Sequence, residues 1–90
     1  MNKLFSIIIP FYNAEKFLKK TITSITNQKR DNIEIVLVND NSNDNSDQIC
    51  KNFSKKFRYI KIIKNNKNVG VGKSRNVGIR NSLGKYLIFL

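Results

Sequence analysis

The chain has 90 residues, 40% of them apolar, and a formal net charge of +11. That length holds one small domain with a thin core, and the apolar share lies above that of a disordered chain. With no histidine and one cysteine, an internal disulfide is excluded and a zinc site lacks ligands. No apolar run approaches the ~18 residues that a membrane span needs. Charge and turn residues interrupt the N-terminal segment from Pro10 onward, so it lacks the pattern of a secretory signal. The charge is consistent with a solvated lysine-rich surface or with an anionic partner such as nucleic acid, phosphate or an acidic membrane. Basic residues run from Lys3 to Lys85 without a long cluster, which favours the solvated surface over a nucleic-acid-binding stripe.

Residues 4–9 read as a short buried strand, rich in β-branched side chains and ended by Pro10. Residues 11–13 read as a turn, with Asn13 as the N-cap of a helix over 14–26. Phe17, Leu18, Thr21, Ile22 and Ile25 share one face of that helix. Glu15 suits its positive end. Residues 33–38 are apolar almost throughout, as expected of a strand covered on both faces. A dense loop of Asn, Asp and Ser follows over 39–46. The next helix, over 47–56, turns Ile49, Cys50 and Phe53 inward, with Phe57 at its end. Cys50 reads as a small core residue in a reducing compartment. Residues 59–63 form the third strand. Residues 72–82 form the third helix, less apolar than the others, with Gly84 as terminator. Residues 86–90 form the fourth strand, with Leu90 as its last residue. The β-α alternation predicts a single α/β domain over 1–90 with a parallel sheet and right-handed crossovers. Because the apolar run stops at Leu90 without a following cap or tail, it reads as the interrupted end of a longer domain.

The stretch Asn68-Val-Gly-Val-Gly-Lys-Ser74 has the ending of a triphosphate-binding loop, G-x-x-x-x-G-K-[ST]. Five positions before Gly72, however, stands Lys67, and that loop needs a glycine there to turn its amides toward phosphate. The glycines therefore need another explanation. Gly70 and Gly72 free the loop to pass close beneath a ligand, and Gly78 lets the third helix pack close to the sheet. The same residues also serve as plain turn and packing glycines.

Ligands of parallel α/β sheets bind at the carboxyl ends of the strands, near the reversal of strand order. That rule selects the loops after the first three strands. Tyr12 offers a face for stacking a base or for packing on its own helix. Asp40 is placed to accept the imino N–H of a pyrimidine or to close an Asx-turn. Ser42 reads as a turn residue. Asn68 reads as a ribose contact or a turn residue. Arg75 reads as a contact to base, ribose or phosphate, or as a surface arginine.

Four segments carry a family resemblance: "SIIIPFYNAEKFL", "IEIVLVNDNSNDNS", "NVGVGKSRNVGI" and "GKYLIFL". In this order, over nearly the whole chain, they resemble the N-terminal half of a GT-A fold family 2 glycosyltransferase. The resemblance implies a Rossmann-like, mostly parallel sheet with flanking helices, truncated here. It implies a nucleotide-sugar donor, most often UDP-linked, and an inverting transfer to a glycan or lipid-linked acceptor in cell-envelope polysaccharide synthesis. By motif position, Pro10 and Tyr12 would flank the uracil and Asp40 would contact the base. Asn68 and Arg75 would help hold the nucleoside. Glu15, which matches the last residue of P-x-Y-N-x-E, is by the resemblance a further nucleotide-binding residue, though it also suits a helix N-terminus. Asn39 stands where a first aspartate is common, and Asn41 where glycine is common.

In the family, the strand matching "YLIFL" runs into D-x-D, which ligates Mn²⁺ or Mg²⁺ on the donor diphosphate. This chain has no D-x-D. By the resemblance, that motif and the catalytic base would lie beyond Leu90. The resemblance thus implies a nucleoside-binding half without the metal site, acceptor site or catalytic base, inactive by itself and binding no metal tightly. It further implies a cytoplasmic protein, with a peripheral position at the inner membrane face as an extension, and oligomerisation through exposed apolar surface. No nucleic acid partner is expected. The alternative reading is a non-enzymatic basic α/β module that binds nucleic acid, with steep salt dependence.

Overall fold

A computed structural model describes residues 3–90 of the protein. The elements follow the order β1 (Phe5–Phe11), α1 (Glu15–Thr26), β2 (Ile33–Asn39), α2 (Ser46–Lys56), β3 (Ile60–Lys64), α3 (Val71–Arg80) and β4 (Tyr86–Phe89). The four strands make one sheet in the order β3-β2-β1-β4. Every neighbouring pair is parallel. Both the fold class and the element order match the expectation from sequence.

The topology follows from handedness. From β1 to β3 the chain steps one way across the sheet, so right-handed crossovers put α1 and α2 on the same face. The step from β3 to β4 runs backward across β2 and β1, and α3 therefore lies on the opposite face. The two faces have separate cores. Ile7, Ile9 and Phe11 of β1 and Ile33, Ile35 and Leu37 of β2 pack with Leu18 and Ile22 of α1 and Cys50 of α2. The alternate residues Ile8, Val36 and Val38 pack beneath Val77 of α3. All seven residues of β2 are buried, as its near-continuous apolar run requires. Burial pushes the Cys50 thiol up to about 12, helped by the charge of Asp47, so it is an inert core residue.

Several local expectations change. β1 does not stop at Pro10 but runs on to Phe11, with Pro10 opposite Val38 in register. Asn13 is not the N-cap of α1. It takes φ 50°, and Ala14 caps the helix without a side-chain bond. Phe17 is 72% exposed rather than turned to the core, because α1 rests on the sheet through Leu18, Ile22 and Thr26. α3 begins at Val71 and ends at Arg80, capped by Asn81 rather than by Gly84.

The fourth strand also differs at its end. β4 closes at Phe89, paired with Ile8, and Leu90 falls outside it. The Leu90 N–H still donates to the Ile8 carbonyl at 3.1 Å, so the backbone stays beside β1 for one more residue while its side chain is exposed. The residues of β4 are exposed as well, because it is an edge strand that pairs only with β1.

Gly84 has a different task. A Cβ there would lie 2.5 Å from Ser6 Oγ and 2.6 Å from the Ser6 backbone nitrogen. The loop before β4 presses onto β1 because a buried polar cluster draws it in. Ser6 donates to Glu34 Oε2 at 2.6 Å and accepts from the Gly84 N–H at 2.7 Å. The Leu83 N–H donates to the same Glu34 oxygen. Lys61 Nζ lies 3.5 Å from Glu34 Oε1 and donates to the Asn81 carbonyl at 2.7 Å. Gly78 does let α3 approach the sheet, since a Cβ would fall 2.5 Å from Ile8 Cγ2. Gly72, by contrast, has nothing within 4 Å of a built Cβ, so close approach does not require it. Gly84→Ala should therefore destabilise by about 1–3 kcal/mol through overpacking. Gly72→Ala should stabilise by about 0.5 kcal/mol through helix propensity. Urea midpoints of the two variants check both signs.

Candidate functional site

The loops after β1, β2 and β3 meet at the carboxyl end of the sheet, and the β2–α2 loop ties the other two down. Asn39 closes this loop on itself, accepting from the Ser42 N–H at 2.9 Å. Asn41 sits at φ 62°, the left-handed region where the resemblance expects glycine. Asparagine tolerates that region better than most side chains.

On one side the loop caps α1 from outside its own chain segment. The Asn13 N–H donates to Ser42 Oγ at 2.9 Å, the Ala14 N–H to Ser46 Oγ at 3.0 Å, and the Glu15 N–H to Asp44 Oδ2 at 3.2 Å. Asn13 Oδ1 answers by accepting from the Asn43 N–H at 2.7 Å. A helix start leaves several amides without helical partners. Here side chains about thirty residues away in sequence satisfy them, which is why no local cap was needed.

On the other side Asp40, only 4% exposed, holds the β3–α3 loop. Its Oδ1 accepts from Asn65 Nδ2 at 3.0 Å and from the Val69 N–H at 2.8 Å. Its Oδ2 accepts from the Gly70 N–H at 2.9 Å. Asn65 Nδ2 also donates to Ser74 Oγ at 3.1 Å. Asn68 Nδ2 reaches the Asp40 carbonyl at 3.4 Å. Gly70 precedes α3 at φ 94°, a conformation that favours glycine and lets its amide face the carboxylate. Burial works against the charge of Asp40, but the bonds from Asn65, Val69, Gly70 and Ser74 outweigh it and hold its pKa below the usual carboxylate value. Asp40 therefore does not close an Asx-turn in its own loop. It binds the neighbouring loop through three N–H donors, and of a carboxylate's about four acceptor positions the fourth is open to the Ser74 hydroxyl or to a ligand N–H.

Between these loops lies a pocket of about 140 Å³, lined by Pro10, Phe11, Tyr12, Asp40, Val71 and Ser74. Of the six residues singled out from sequence, three converge here: Pro10, Tyr12 and Asp40. Tyr12 is 48% exposed, and its hydroxyl lies 3.5 Å from Asn43 Nδ2. Asn68 and Arg75 are exposed in the β3–α3 loop and on α3, outside the lining, and Glu15 opens α1 outside it too. Sequence reasoning missed Phe11, Val71, Ser74 and the fastener Asn65. Asn65 stands directly after β3, so the rule of strand carboxyl ends was the signal that could have found it.

Residues 6–90 match the domain described as glycosyl transferase family 2. The chain belongs to that family. It is 44% identical over 85 residues to glycosyltransferase GlyA of Streptococcus pneumoniae, an alignment covering 94% of this chain and 12% of GlyA. It is 41% identical over 88 residues to the minor teichoic acid biosynthesis protein GgaB of Bacillus subtilis, covering 96% and 10%. The crystal structure of S. aureus TarS 1-349 in complex with UDP-GlcNAc superposes with a TM-score of 0.90 at 32% identity, over 97% of this chain and 26% of that one. A Pyrobaculum calidifontis mannosyltransferase in complex with GDP-Man and Mn²⁺ shares the fold at a TM-score of 0.81 and 19% identity, over 91% and 25%. The chain thus spans about a tenth of these two sequence relatives and a quarter of the two solved chains.

Within this family 2 domain, the residues present do not fit the Mn²⁺ or Mg²⁺ that the resemblance implies. Among the described residues no three His, Cys, Asp or Glu side chains converge. Asp40, the pocket carboxylate, already accepts from three N–H groups.

Two consequences are measurable. Asp40→Asn removes the charge and sets an amide N–H against the Val69 and Gly70 amides. Hydrogen exchange at those two positions should accelerate at least ~10-fold, since a lost charge-assisted bond is worth roughly 1.5–3 kcal/mol. Glu34, Asp40, Asp44 and Asp47 all have folded pKa values below their ordinary ones. Each contributes stability that is fully present above the unfolded value near ~4 and is lost as pH falls through the lower folded value. Urea midpoints should hold steady from neutral pH to about 5 and then fall, more shallowly in Glu34→Gln and Asp40→Asn.

Proposed function

We propose that this domain forms the nucleoside side of the donor site in a glycosyltransferase that uses a nucleotide-diphospho-sugar, with UDP as the nucleotide. The observation that carries this is the convergence of Pro10, Tyr12 and Asp40 on one pocket at the strand carboxyl ends. Family membership and likeness to a solved chain bound to UDP-GlcNAc support it. In this reading the uracil lies between Pro10 and the Tyr12 ring. The remaining acceptor position of Asp40 takes the imino N–H of the base. Asn68 and Arg75, exposed outside the pocket lining, would reach ribose or phosphate, and Glu15 would support the start of α1 after the Tyr12 turn.

The whole protein would transfer the sugar to a polymer or glycoconjugate of the cell envelope; the relative GgaB is named as a minor teichoic acid biosynthesis protein. In this reading the residues named here bind the nucleoside and do not neutralise the leaving group or deprotonate the acceptor, since no three His, Cys, Asp or Glu side chains converge among the described residues, and the 90-residue chain alone is expected to be inactive.

Titration with UDP, CDP and GDP at moderate salt, followed by amide shifts, tests the reading. UDP should bind in preference to both others. Tyr12→Ala, which leaves the Asp40 bonds intact, should weaken UDP by about 1–3 kcal/mol, the range for base stacking. Equal affinity for the three nucleotides, or no effect at Tyr12, would overturn the pocket assignment.

A further inference from the structure

The charge of the chain is less evenly placed than its spread along the sequence indicates. The first 47 residues hold six Lys and Arg and all six Asp and Glu. Residues 48–90 hold the other eleven Lys and Arg and no acid, so the entire +11 resides there. Part of it has partners: Lys51 pairs with Asp47 at 3.1 Å and Lys61 with Glu34. Lys67, Lys73 and Arg80 form no ion pair among the described residues. All three line one groove of about 490 Å³ between the β3–α3 loop and one flank of α3, together with Asn65, Asn66, Asn76 and the half-buried Val77.

The groove shares no lining residue with the Asp40 pocket. Asn65 and Val69 stand between the two, since they line the groove while bonding Asp40. Lys73, Asn76, Val77 and Arg80 stand at i, i+3, i+4 and i+7, so they form one stripe down α3. Two helical turns separate Lys73 from Arg80, about 10 Å along the axis. A single phosphate cannot bridge them, but successive anions of a chain molecule can. Grooves for single-stranded nucleic acid place aromatic rings against the bases. This groove has none.

We propose that the groove binds a linear phosphodiester polymer without bases, held by Lys67, Lys73 and Arg80, as a docking groove for the acceptor chain away from its reacting end. The acceptor role rests on the donor-site reading above; binding of the polymer does not. Fluorescence polarisation of the full chain with a tagged synthetic oligo(glycerol phosphate) tests it. A neutral glycan of similar length and a single-stranded oligonucleotide of equal phosphate number serve as comparators. The triple variant K67Q/K73Q/R80Q is set against K16Q/K29Q/K55Q, which removes the same charge from exposed positions elsewhere.

The groove variant should lose at least about tenfold in polymer affinity, and the slope of log K against log salt should shrink by roughly 2. The comparison variant should change by less than about twofold, and UDP affinity should be unaltered in both. Equal losses in the two variants would reduce the groove to general surface charge. An oligonucleotide bound as tightly as the polymer, with the same dependence on the three residues, would overturn the proposal in favour of nucleic acid. Absence of UDP binding in the unmutated chain would remove the donor reading and leave the polymer result to be judged alone.

Discussion

The site depends on the buried carboxylate of Asp40 and the polar loop that it begins. A charge at 4% exposure is costly unless nearly every acceptor position meets a donor. Val69, Gly70 and Asn65 supply those donors, and in doing so they fix the β3–α3 loop against the end of β2. The β2–α2 segment that Asp40 begins, through Ser42, Asp44 and Ser46, meets the first amides at the start of α1. Three connections that would otherwise move independently are joined by one short polar segment. The pocket they enclose is thereby organised before any ligand arrives, which reduces the ordering cost of binding.

A second buried carboxylate does comparable work at the opposite end of the sheet. Glu34 and Ser6 draw Leu83 and Gly84 onto β1, and so position the start of β4. The two clusters share a physical pattern. In each, a charge near one strand end accepts backbone N–H groups of a loop that an apolar contact could not orient. The difference lies in what stands beside them. The Asp40 cluster borders a pocket with an aromatic wall, whereas Lys61 near the Glu34 cluster is already engaged by Glu34 itself and by a carbonyl.

α3 then connects the two ends and carries two kinds of surface. Gly78 brings it onto Ile8, which sets its depth and leaves its outer stripe of Lys73, Asn76 and Arg80 to the solvent. Three of the eleven basic side chains of residues 48–90, Lys67, Lys73 and Arg80, are thereby gathered in one groove, while others stand on α2, on β3 and before β4. Alternation of charge along the sequence says nothing of this, because placement on a face depends on how the helix is seated.

What the sequence determined by itself was the fold class and the order of elements. Their signals are local: the unbroken apolar run of β2, the helical spacing of Leu18 and Ile22, the turn residues between them. The positions of Pro10, Tyr12 and Asp40 at strand ends were legible for the same reason, and family motifs added what each would touch. Only the tertiary structure decided the cap of α1, the task of Gly84, the partners of Asp40, the exposure of Phe17 and the end of β4 one residue before Leu90. The cap, the task of Gly84 and the hold of Asp40 rest on bonds between residues some thirty to eighty positions apart. Such bonds form only when parallel strands bring distant loops to the same edge. A hydrogen bond across space leaves no period in the chain, so no reading of neighbours along it can supply the partner.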